Sequence, residues 1–118
     1  MKWMISGLQM AACLCTTPAY CGSYYYSGND LWTLCQTNKN TIAHYYVQGV
    51  QDGVERYREL VDMYPSICSP KSSNSIQATD IVCKYLRENP EKRHYSAPDA
   101  VINALANAWP CGKKGDKQ

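Results

Sequence analysis

Prolines at 65, 90 and 110 each fall where an apolar stripe of helical period runs out, and this punctuation constrains the chain most. Proline ends a helix because its ring excludes the preceding residue from the helical region and it has no N–H to donate. Upstream of Pro65, Tyr46, Val50, Val54, Tyr57, Val61 and Tyr64 alternate steps of four and three, which predicts one long helix from Thr41 to Tyr64. Asn74-x-x-Gln77 reads as a capping box opening a helix that buries Ala78, Ile81, Val82, Tyr85 and Leu86. Ser96-x-x-Asp99 reads as a second box, with Val101, Ala104, Leu105, Ala108 and Trp109 as the stripe that follows. A shorter helix, capped by Asn29 or Asp30 and ending near Gln36, precedes the polar turn Thr37–Asn40. Pairs at i, i+4 are expected for Asp52 with Arg56 and for Asp80 with Lys84. With three polar connections and no alternating strand pattern, these elements predict an all-α fold, a compact four-helix bundle.

The first residues read as an address. Met1-Lys2 is followed by an apolar run from Trp3 to Leu14, then Thr17-Pro18-Ala19, which places small residues at −3 and −1 of a cut after Ala19. Residues 1–19 are therefore expected to be a cleaved secretory signal peptide, leaving the mature chain off the membrane. Met10-Ala11-Ala12-Cys13 matches a lipoprotein signal poorly, since Leu is missing from −3. Residues 20–28, rich in Tyr, Ser and Gly, read as a flexible arm, residues 29–111 as the helical domain, and residues 112–118 as a disordered tail.

Five cysteines outlast the signal: Cys21, Cys35, Cys68, Cys83 and Cys111. They lack the close pairing a zinc site needs, and in an exported chain they read as two disulfides with one thiol, naturally Cys21, left over. No cofactor or metal is expected. The formal charge of +2 includes Lys2, and no basic stripe is interleaved with aromatics, so nucleic acid is an unsuitable partner. With two histidines, His44 and His94, and no nucleophile or phosphate-loop motif, catalysis is not expected. His44 reads as a helix-surface residue. Gly49 and Gly53, four apart inside a helix, each cost about 1 kcal/mol relative to Ala, which suggests close approach of a neighbouring helix or a homodimer partner.

The order "LWTLCQ", "YYVQGVQDGVE", "ICSPKSSNSIQ", "IVCKYLRENPEKRH", "SAPDAVINALANAWPC" resembles the Tai/Rap immunity-protein family over Leu31 to Cys111. Those are periplasmic helical proteins that neutralise peptidoglycan amidase effectors of type VI secretion. The resemblance implies a periplasmic inhibitor that occludes an amidase active site, and members of that family often act as homodimers. It also implies a Cys68–Cys111 bridge. The family commonly has a cysteine where this chain has Ala43, and Cys83 suggests a relocated second bridge, Cys35–Cys83. The connector supplies the expected partner contacts: Glu88, Asn89, Glu91, Lys92, Arg93, His94 and Tyr95, with Pro90 limiting its entropy. The alternative use of Arg93 and His94 is to cap the preceding helix's carbonyls. A second functional class, a periplasmic stress chaperone or binding protein, would act by exposing apolar surface when its carboxylates protonate.

Overall fold

The computed structural model describes residues 24–61 and 66–112. The signal segment, Cys21, residues 62–65 with Tyr64 and Pro65, and the tail beyond Gly112 lie outside the described residues. Four helices follow in order: α1 (Gly28–Thr37), α2 (His44–Val61), α3 (Ser75–Glu88) and α4 (Ala97–Ala108). A π-helical turn, Lys39–Ala43, runs directly into α2, and a 3-10 turn, Pro90–Lys92, sits between α3 and α4. The fold is all-α, as the periodicity predicts.

α1 starts two or three residues earlier than expected, because its cap is Ser27 and not Asn29 or Asp30. The Asp30 amide donates to Ser27 Oγ (3.3 Å), while the Ser27 amide and hydroxyl donate to the Asp30 carboxylate at 2.9 and 2.7 Å. Ser27-x-x-Asp30 is the same written pattern as Ser96-x-x-Asp99, so the signal was present in the sequence. Those two donors, the hydroxyl first, lower the Asp30 pKa from its ordinary value. A depressed carboxylate pKa stabilises the fold above the unfolded value of about 4 and loses that contribution as pH falls through the folded value. Thermal melts of the wild type and Asp30→Asn should therefore differ at about pH 5 and converge near about pH 2. A gap that stays constant across the range would remove the carboxylate from the cap.

The core gathers Leu31, Ala43, Val47, Val82, Leu86, Val101 and Leu105, all with no exposed area. Truncating any of the leucines costs about 2–5 kcal/mol. α3 sits at the centre, packed against each of the other helices. On α2, Val47 is buried and Tyr46, Val50 and Val54 are half-buried, whereas Tyr57, Leu60 and Val61 are exposed. The predicted buried stripe therefore holds only for the first half of the helix. α2 is 18 residues long against 14 and 12 for α3 and α4, so its last turns outrun the layer that could cover them. Ala108, expected on the buried stripe of α4, is exposed as well.

Two ion pairs differ from expectation. Arg56 bonds Glu59 at 3.1 Å rather than Asp52, and Arg58 pairs with Glu55. Asp80 reaches across to Lys39 at 2.8 Å rather than along its own helix to Lys84. The tertiary turn brings a cation closer than the helical repeat does. Exposed to solvent, these pairs add little to stability. His44, expected on the surface, is half-buried, and its Nδ1 lies 3.3 Å from Thr79 Oγ1. The Thr79 hydroxyl donates to the Ser75 carbonyl (2.9 Å), so the His44 ring is the donor to Thr79. This bond ties α2 to α3.

Candidate functional site

Cys35 on α1 is bridged to Cys83 on α3, with Cα atoms 5.6 Å apart, and Cys68 is bridged to Cys111, with Cα atoms 4.9 Å apart. The first bridge is nearly buried beside Ala43 in the same core, and the second pins the 66–69 segment to the end of α4. There the Cys68 amide donates to the Trp109 carbonyl at 2.9 Å. The first bridge ties α1 to α3 within the core, and the second ties the segment before α3 to the end of α4, so both helices flanking the connector are crosslinked to the bundle.

α3 ends at Asn89, whose amide and side-chain Nδ2 both donate to the Tyr85 carbonyl, at 3.0 and 2.9 Å. The connector then folds on itself: the Lys92 amide donates to Asn89 O, the Arg93 amide to Pro90 O, and the Tyr95 amide to Lys92 O. Ser96 caps α4 by accepting from the Asp99 amide at 3.3 Å. Asn74 likewise accepts from the Gln77 amide (2.8 Å) at the start of α3.

A second set of main-chain bonds straps the connector to the N-terminus of α1. The Asn29 amide donates to Arg93 O (2.7 Å), the Gly28 amide to Tyr95 O (2.8 Å), and the Ala97 amide to Tyr26 O (2.9 Å). Tyr26 also packs edge-on against Tyr46, with ring centroids 5.4 Å apart. Of the expected arm, the part nearest α1 is thus bonded to the bundle. The close approach requires glycine at 28. A Cβ there would stand 2.8 Å from the Arg93 carbonyl oxygen and 2.9 Å from its Cα, both backbone atoms. Gly28→Ala should destabilise the protein by about 1–3 kcal/mol and raise amide exchange at Asn29 and Ala97. Wild-type exchange at those two amides would show that the strap tolerates the methyl group.

Within the connector the seven expected contact residues divide into two roles. The Arg93 guanidinium donates from Nε to Leu86 O (2.6 Å) and from NH2 to Arg87 O (3.3 Å), and it lies 4.4 Å above the Trp32 ring. It satisfies carbonyls that the last turn of α3 leaves open and welds α3 to α1. Asn89 is likewise half-buried in capping α3. Glu88, Glu91, Lys92, His94 and Tyr95 remain exposed. His94 Nδ1 lies 2.8 Å from the Glu91 carbonyl, which can only accept, so Nδ1 carries the proton. The His94 ring leans on Tyr95, centroids 4.1 Å apart, and Tyr95 is 56% exposed. The result is a two-ring projection on a stiff base, flanked by charges of both signs.

Trp32 escaped the sequence reading. Its distance from Arg93 along the chain hides the pairing, although a tryptophan beside the stripe of a short amphipathic helix invites a partner of this kind. Among the described residues, no group of three or more His, Cys, Asp or Glu side chains could hold a metal ion. No helix among them is long and apolar enough to cross a membrane.

A family model described as Rap1a immunity proteins matches residues 27–111, from the Ser27 cap to the last cysteine. No curated protein matches the chain, and no solved structure does.

Proposed function

The chain belongs to the Rap1a immunity proteins, and from that premise we propose that it is a periplasmic immunity protein that inhibits a type VI secretion peptidoglycan amidase by occluding its active site. Membership supplies the immunity role and an effector as partner. The observation that carries the finer reading is the connector, held by main-chain bonds on both sides while Glu88, Glu91, Lys92, His94 and Tyr95 stand exposed at its surface, where they can enter a cleft. A pre-ordered loop enters such a cleft without the ordering cost of a flexible one. Asn89 and Arg93 position it. Cells exporting the amidase should lyse alone and survive when this protein is exported with it. Lysis in both cases, with the protein folded and present in the periplasm, would refute the assignment.

We further propose that the chain self-associates through the outer face of α2. A Cβ at Gly49 or Gly53 would meet nothing within 4 Å, so neither glycine is explained by packing inside one chain. Ile42, Tyr45 and Leu60 are exposed at 48%, 70% and 66%, leaving apolar surface around the two glycines. Gly49→Ala/Gly53→Ala should raise monomer stability by about 1 kcal/mol per site and dissociate the dimer in sedimentation velocity. A dimer of unchanged strength would place the seam elsewhere.

A further inference from the structure

The connector opens on one side onto a shallow cavity of about 260 Å³, lined by Tyr85, Lys92, Tyr95, Asp99, Asn103 and Asn107. Asp99, Asn103 and Asn107 are exposed and stand four residues apart along α4. Asparagine inside a helix is less favourable than alanine, because its short amide competes for backbone partners. Two of them in the last turns of a twelve-residue helix, with no burial to compensate, act against α4 itself.

Their spacing suits a particular ligand. Four helical residues rise about 6 Å. An extended peptide repeats along one edge every second residue, about 6.7 Å. Each Asn amide carries both donor and acceptor, so successive side chains can each pair with the N–H and C=O of alternate peptide units. Asp99 keeps one carboxylate oxygen beyond the one bonded by Ser96 Oγ at 2.6 Å. The opposite wall argues against a sugar, which needs a bare aromatic face, because Lys92 Nζ lies 5.7 Å over the Tyr85 ring. Tyr95 belongs both to this wall and to the connector, so the two surfaces are continuous.

We propose that the groove between the connector and α4 docks an extended peptide segment of the effector, read through its main chain by Asn103 and Asn107. This rests on the connector being the partner-facing surface. The test is Asn103→Ala/Asn107→Ala, which replaces poor helix formers by the best one, so the variant should melt higher than the wild type. Its affinity for the purified amidase, inactivated at its nucleophile, should nevertheless fall about tenfold or more, while Gln36→Ala on α1 leaves it unchanged. If the double variant binds like the wild type while Tyr95→Ala does not, the groove assignment is overturned and the connector reading stands. If neither change matters, both fall.

A second arm does not depend on the amidase. Blocked linear peptides selected from a random library on the full mature protein should lose binding to the double variant, and lose it again when their alternate amides are N-methylated. Selected peptides indifferent to either change, a library that yields none, or displacement by a peptidoglycan disaccharide lacking its peptide would each overturn the proposal.

Discussion

A chain carrying Cys35→Ala and Cys83→Ala is expected to unfold about 4 kcal/mol more easily than the parent in urea. The magnitude comes from loop closure: the bridge spans a sequence separation of 48, and tying such a loop removes much of the unfolded chain's freedom. The Cys68–Cys111 bridge closes a similar span of 43 and should contribute about as much. The two differ in their surroundings. Cys35 and Cys83 are each 8% exposed and lie within the core, so their removal also leaves α1 and α3 less closely packed. A domain of this size has about 5–15 kcal/mol in hand, so loss of both bridges should leave the chain largely unfolded at body temperature. Circular dichroism of the oxidised and fully reduced protein checks this. Coincident urea midpoints would show that the helices hold without the crosslinks, and would remove the reason for an oxidising compartment.

The second large effect separates binding from folding in one loop. Tyr95→Ala should leave the melting temperature close to wild type, because a half-exposed ring is lost while the strap's main-chain bonds remain. Its affinity for the effector should nonetheless fall by about 2 kcal/mol, or roughly thirtyfold, as for an aromatic anchor at the centre of an interface. Arg93→Ala should behave differently. It strips two charge-assisted bonds from the α3 carbonyls and the cation from Trp32, at a cost of about 2–4 kcal/mol in stability. Arg93→Lys keeps a charge over the ring but not the forked donor, so it should fall between the two. Calorimetry for stability and titration for affinity read the two axes separately. An Arg93→Ala protein as stable as the wild type would deny the strut, and a Tyr95→Ala protein that binds normally would take the projection out of the interface.

The helices were legible because each answers to a local rule. The start of α3 is written in Asn74-x-x-Gln77 and that of α4 in Ser96-x-x-Asp99, and Pro90 and Pro110 lie just past their ends. The start of α1 is equally written, in Ser27-x-x-Asp30, but two further capping candidates, Asn29 and Asp30, stand directly after it and compete with that signal. Periodicity was less informative where the question was which turns find a neighbour. It gave Tyr57 and Val61 the same standing as Val50, yet only Val50 lies under the other helices. The Lys39–Asp80 pair lies beyond a helical repeat, which ranks partners within one element and ignores what a turn brings near, whereas Arg56–Glu59 stays within α2 at i, i+3, a spacing the helix offers as readily as i, i+4.

Caps, prolines and the 3.6-residue stripe thus determined by themselves that residues 28–108 carry four helices with a charged connector between the last two, because those signals act over a single turn of backbone. Whether Arg93 points at a partner or at Trp32 depended on the strap from Gly28 and Asn29, more than sixty positions away along the chain. Only the closed bundle brings those groups within hydrogen-bonding distance. A side chain long enough to reach either way has its direction chosen by whichever unsatisfied carbonyls and open ring face the tertiary fold sets beside it.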